Sequence, residues 1–136
     1  MPYLIEREMP ERILIVDDEE SILFAMSDYL TARGYQVDCA RGLEEAEALL
    51  SRVRYAGVIA DLRLSGSQST EGLAIVGRVR ARSPSTRTII LTAYGSPQIE
   101  REARRQGVDA FLHKPVPLSK VAQIVGEVIA ARDRES

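Results

Sequence analysis

The chain has 136 residues, 45% of them hydrophobic and 28% charged, with 18 basic and 20 acidic side chains giving a net charge of −2. This is the profile of one soluble globular domain long enough to bury a core, and no apolar run reaches the roughly 18 residues that a membrane span needs. One cysteine, Cys39, and one histidine, His113, exclude an internal disulfide and a Cys/His zinc cluster, while interleaved acids and bases exclude a broad electrostatic grip on nucleic acid. The start MPYLIEREMP mixes Glu and Arg instead of leading into a signal-peptide core, so a cytoplasmic protein is expected.

From Arg12 onward short apolar runs alternate with longer amphipathic stretches, which is the pattern of βα units around a parallel sheet. The first run, Ile13 to Val16, precedes a helix carrying Ile22, Leu23, Met26 and Leu30 at helical spacing, with Gly34 placed for a left-handed C-terminal cap. The second run, Tyr35 to Ala40, leads to a stripe of Leu43, Ala46, Leu49, Leu50 and Val53. Cys39 reads as a buried residue of this strand. The third run is Val58 to Ala60, and its helix spans about Glu71 to Arg82 with Leu73, Val76 and Val79 inward. Ser83-Pro84 stops that helix, because a residue before proline avoids the helical region. The fourth run, Thr88 to Thr92, precedes a polar helix over about Pro97 to Gln106, where Ile99 and Ala103 are the clear apolar positions. The fifth, Ala110 to Leu112, precedes a helix with Val121, Ile124, Val125 and Val128 inward. Runs one, three and four are continuously apolar, as in strands covered on both faces. Right-handed crossovers then give an open α/β three-layer sandwich, in one domain over 12–132 with a polar leader (1–11) and a short tail (133–136).

In such sheets ligands sit at the carboxyl ends of the strands. Those ends carry Asp17 and Asp18, Asp61, Thr92 and Lys114. Carboxylates that close together stay ionised only beside a cation, and an oxygen-rich carboxylate site suits Mg²⁺. A lysine and a hydroxyl opposite the metal can hold the oxygens of a phosphoryl group passing in line to an aspartate. Any one of these residues alone is more simply a turn, a helix cap (Asp18 or Ser21) or a solvated charge; their joint placement points to chemistry. Lysine at 114 is the more telling because the chain holds 16 Arg and only two Lys, and a compact ammonium is not duplicated by a planar guanidinium.

Through ILIVDDE (13–19), VIADLRL (58–64), TIILTAYG (88–95) and AFLHKPV (110–116) the chain resembles the receiver domains of bacterial two-component response regulators over Arg12 to Arg132. The resemblance implies a flavodoxin-like (βα)5 fold with a five-stranded parallel sheet in the order 2-1-3-4-5. It also implies a non-enzymatic signalling switch in which Asp61 accepts a phosphoryl group from a histidine kinase or a histidine phosphotransfer protein. Asp18 is then the direct Mg²⁺ ligand, Asp17 one acting through water, Asp61 a third, and the backbone carbonyl of Arg63 a fourth. Thr92 is the switch hydroxyl, Phe111 the aromatic that rotates inward behind it, Lys114 the cation that pairs with the phosphoryl group, and Lys114-Pro115 a cis peptide. The readout surface comprises the fourth helix, fifth strand and fifth helix, whose Arg/Glu-rich segment 100–105 offers salt bridges for a homodimer. A downstream target protein is the other expected partner, with no membrane and no nucleic acid bound directly by a stand-alone receiver.

The sequence departs from the family after Asp61. Ser65 stands where a proline is common, and Gly72 comes eleven residues on where a glycine is usual at about eight, so the polar loop 65–70 is longer. Arg63 and Tyr94 are bulky beside the acceptor and are expected to hinder an attacking water. His113 is expected to point away from the site. The competing reading is a receiver-like interaction module that works without phosphorylation. A phosphohydrolase is disfavoured because Arg63 replaces an acid two residues after Asp61, and a flavin carrier because DDEES carries the wrong charge for a phosphate loop.

Overall fold

In the computed structural model, which describes residues 10–64 and 71–135, each apolar run is a strand and each amphipathic stretch a helix. The order is β1 (Arg12–Val16), α1 (Glu20–Ala32), β2 (Gln36–Ala40), α2 (Leu43–Leu50), β3 (Gly57–Ala60), α3 (Glu71–Arg82), β4 (Arg87–Thr92), α4 (Pro97–Arg105), β5 (Ala110–His113) and α5 (Leu118–Glu135). The strands form one parallel sheet in the order β2-β1-β3-β4-β5, the flavodoxin-like arrangement that the resemblance implies.

Alternation along the strands sorts the core into two layers. Leu14, Val16, Val58, Ala60 and Ile90 face α2, α3 and α4 through Ala46, Leu73, Val76, Val79 and Ala103. Ile13, Ile15, Ile59, Ile89 and Leu91 face α1 and α5 through Leu23, Met26, Leu30, Val121, Val125 and Ile129. Every residue of β3 and β4 is buried, which is why those runs show no polar alternation. Each aliphatic side chain so buried contributes about 1.5–3 kcal/mol relative to exposure.

Helix ends follow local chemistry. Gly34 closes α1 at φ +100°, where a residue with a Cβ is strained. Ser96 caps α4 by accepting from the Ile99 amide at 3.2 Å, with Pro97 in the first turn. Neither Asp18 nor Ser21 caps α1: its N-cap is Glu19, without a side-chain cap bond.

Cys39 is exposed, not buried. Among the described residues β2 is the sheet edge, bonded only to β1, and Cys39, in register with the core residue Ile15, lies at that edge. Partial desolvation on its inner side still raises its thiol pKa, partly offset by Ser27 and reinforced by Asp38. A maleimide reagent should therefore modify Cys39 to completion in native buffer, more slowly than it modifies free cysteine, as followed by intact mass. Resistance until denaturant is added would contradict the exposed placement.

Candidate functional site

Ladder hydrogen bonds continue one residue beyond the strands and place the site. The Asp17 amide donates to the Ala40 carbonyl at 3.0 Å, the Asp61 amide to the Val16 carbonyl at 2.9 Å, and the Lys114 amide to the Thr92 carbonyl at 2.9 Å. The sheet thus presents Asp17, Asp61, Thr92 and Lys114 side by side at its carboxyl edge.

Lys114 reaches across the end of β4. Its ammonium donates to Asp17 Oδ2 at 2.9 Å and Asp61 Oδ2 at 3.1 Å, and lies 3.8 Å from Glu19 Oε1. The two aspartates are 3% and 4% exposed, so these charge-assisted bonds form where water screens them little. Burial raises the Asp17 pKa, against the lowering effects of the Glu19 amide and Lys114. Burial also works against the charge on Lys114, but its bonds to Asp17 and Asp61 outweigh this and its pKa is raised. Lys114-Pro115 is cis.

Among the described residues, Asp17, Glu19 and Asp61 offer carboxylate oxygens within 4.8 Å of one another. This donor set, hard oxygens of which two are buried, fits a divalent cation such as Mg²⁺. Asp18 is exposed and outside the group. Glu19, which sequence reading left aside, is inside it. The reason is local: Asp17 Oδ1 accepts from the Glu19 amide at 2.9 Å, and this turn brings Glu19 round to Lys114 while Asp18 faces solvent.

Other side chains ring Asp61. The Arg63 amide donates to Asp61 Oδ1 at 3.3 Å, and the Tyr94 amide to Thr92 Oγ1 at 3.1 Å. The Arg63 guanidinium stacks over the Tyr94 ring at 3.9 Å, a cation–π contact that ties together the two loops flanking the site. Thr92 is fully buried. Phe111 is buried too, its ring 5.3 Å from that of His113. A Cβ on Gly95 would fall 2.8 Å from Phe111 Cε1, so glycine there leaves room for the inward ring. His113 is exposed and turns to Glu100, with Nε2 3.5 Å from Oε1.

Gly72 lets α3 approach the Asp61 backbone closely. Its amide donates to the Leu62 carbonyl at 3.0 Å, and a Cβ there would fall 2.9 Å from Leu62 Cα and closer still to the Asp61 carbonyl oxygen. The eleven-residue spacing from Asp61 thus ends on the position that needs glycine. The longer loop 65–70 lies outside the described residues.

The profile of the response regulator receiver domain matches residues 13–126, and the chain belongs to that family. It is 32% identical over 120 residues to the transcriptional regulatory protein GlrR of Escherichia coli, covering 88% of this chain and 26% of that one. The chain thus spans about a quarter of that curated relative. A CheY-like receiver domain protein from Methanospirillum hungatei superposes with a TM-score of 0.87 at 24% identity, over 93% of this chain and 99% of that one. A Burkholderia pseudomallei response regulator, solved with a phosphorylated aspartic acid and a calcium ion, superposes at 0.77 and 25% identity over 93% and 75%.

Gly72→Ala should cost about 1–3 kcal/mol, as overpacking against backbone does, read from the urea unfolding midpoint. A change below about 0.5 kcal/mol, the range of an ordinary surface substitution, would show that α3 does not bear on Asp61.

Proposed function

We propose that the chain is a phosphorylation-dependent switch in which Asp61 takes a phosphoryl group from phosphohistidine of a partner kinase or phosphotransfer protein, or from a small phosphodonor. The observation that carries this reading is the Lys114 ammonium shared by two buried carboxylates, Asp17 and Asp61, beside a third acid in Glu19. A buried ion set of that kind is costly as mere scaffolding; as a preorganised receptor for phosphoryl charge it has a use. The regulator from Burkholderia pseudomallei, with its phosphorylated aspartic acid, supports the same chemistry.

In the step itself, an Asp61 carboxylate oxygen forms a bond to phosphorus as the P–N bond to the donor imidazole breaks, and the electron pair leaves with the imidazole nitrogen. Lys114 exchanges its bond to Asp61 for a phosphoryl oxygen. Thr92, whose hydroxyl accepts from the Tyr94 amide, turns to donate to another. Asp17, Glu19 and Asp61 would hold Mg²⁺, with Asp18 and the Arg63 carbonyl as the further ligands that the family pattern assigns. That ion, when bound, neutralises the carboxylates and the charge of the incoming group. An apolar groove bordered by Ile22, Ala25, Met26, Pro115, Val116 and Leu118 opens beside Lys114 and would seat the donor protein.

Phosphorylation adds up to two charges and shifts an existing equilibrium by its differential affinity for the two states. Moving from 1:99 to 99:1 takes about 5.5 kcal/mol. The readout would run through Thr92, Phe111 and the face formed by α4, β5 and α5 to a downstream target or a second copy of the chain. In the isolated chain Glu100 pairs with Arg104 and Glu102 with Arg105, so a dimer through segment 100–105 must exchange bonds within α4 for bonds between copies. The role is signalling and not turnover of an external substrate.

Intact mass after incubation with acetyl phosphate and Mg²⁺ should show one phosphoryl adduct, lost in Asp61→Asn and with a chelator. No adduct in the wild type would reduce the chain to a phosphorylation-independent interaction module. The stacked Arg63 and Tyr94 should also shield the acyl phosphate from water, so the Arg63→Asn/Tyr94→Glu double variant should shorten the adduct's half-life by about tenfold, or about 1.4 kcal/mol of barrier. An unchanged half-life in quench-flow mass measurements would remove that role.

A further inference from the structure

At the end of the sheet opposite Asp61, the C-terminal ends of α2 and α3 and the residues leading into β3 and β4 enclose a cleft of about 230 Å³. Its walls carry four exposed guanidinium groups, Arg52, Arg54, Arg78 and Arg82, against one carboxylate, Glu47. Arg78 is ion-paired with Glu47, and Arg52 Nε donates to the Ala48 carbonyl at 3.3 Å, capping α2. Arginines at helix C-termini also balance the helix dipole, and that bland role has a limit. Two helix ends carry about half a negative charge each, so together with Glu47 they offset about two of the four cations. Arg54 lies four residues beyond the end of α2, past the reach of its dipole. Among the described residues, neither Arg54 nor Arg82 has a carboxylate partner.

The rest of the lining satisfies itself. Thr86 Oγ1 donates to the Tyr55 carbonyl at 2.6 Å and lies 2.8 Å from Ser83 Oγ, while the Tyr55 phenol donates to Asp38 at 2.7 Å. Leu50, Val53 and Val79 supply apolar surface. What remains unfilled is a surplus of about two positive charges on planar forks that match phosphate oxygens two at a time. We propose that this cleft binds a small phosphate monoester dianion, its organic portion resting on the Leu50, Val53 and Val79 surface. The volume favours a small molecule over an acidic peptide, being below the roughly 300–1,000 Å³ of pockets that take drug-sized ligands.

The test is a titration of the full ¹⁵N-labelled chain with phenyl phosphate, with inorganic phosphate and with a hexaglutamate peptide, at constant ionic strength and without added metal. Phenyl phosphate should produce saturating amide shifts over 51–55 and 78–86, and inorganic phosphate weaker ones at the same positions. Arg54→Gln/Arg82→Gln should weaken binding at least about tenfold, two charge-assisted contacts being lost, with the remaining spectrum reporting an intact fold. Shifts at Asp17, Asp61 and Lys114 report anion binding at the other end and are scored separately. Shifts that do not saturate, that persist unchanged in the double variant, or that answer hexaglutamate alone would overturn the proposal.

Discussion

The bond set of Lys114 organises this molecule. One ammonium joins Asp17, 97 residues away, to Asp61, 53 residues away, across the ends of four neighbouring strands. Two buried carboxylates at that separation would repel, and one would take up a proton, without a cation between them. The opposite effects of burial and of Lys114 on Asp17 describe that balance. The same burial works against the charge of Lys114 and is outweighed by the two acids. In the order β2-β1-β3-β4-β5, β1 and β3 are adjacent and β5 lies two strands from β3, and the Lys114 side chain spans the end of β4 to reach both acids.

Positioning comes from the backbone rather than from loops. Asp17, Asp61 and Lys114 are each pinned by a main-chain bond continuing a strand ladder, and the strands behind the two aspartates are buried from Ile13 to Val16 and from Gly57 to Ala60. Main-chain placement on a rigid sheet fixes a site more closely than side-chain contacts on loops do. Arg63 and Tyr94 sit two residues beyond Asp61 and Thr92 and meet in a stacked side-chain pair.

Much of this was legible in the sequence where one physical rule governed locally. Helix α3 runs over Glu71–Arg82 as read, because Pro84 stops it, and strand bounds shift by about a residue because apolar runs mark burial rather than the last ladder bond. What was not legible depends on the third dimension. Tyr35, Val37 and Cys39 alternate with polar residues like a covered strand, but no local pattern says that β2 is the edge or how far α1 covers it. Four acids follow Val16 in a row, and which of Asp17, Asp18 and Glu19 face the pocket is decided by the turn that the Asp17 carboxylate makes with the Glu19 amide. Gly72 comes eleven residues after Asp61 where a glycine is usual at about eight, and it is at Gly72 that α3 meets the Asp61 backbone.

Helix α3 also connects the two ends of the molecule. Gly72, in its first turn, rests on the Asp61 backbone, and Arg78 and Arg82, in its last turns, stand on the lip of the arginine-lined cleft. Its twelve residues span about 18 Å at 1.5 Å each. This helix is packed along its length through Ile75, Val76 and Val79, so the phosphorylation proposed at Asp61 and the anion proposed between Arg54 and Arg82 would act on the same element. Any coupling between them must be reciprocal in free energy. A ligand that favours one setting of α3 favours the phosphorylation state that shares it, and a ligand indifferent to that setting leaves the switch where it was.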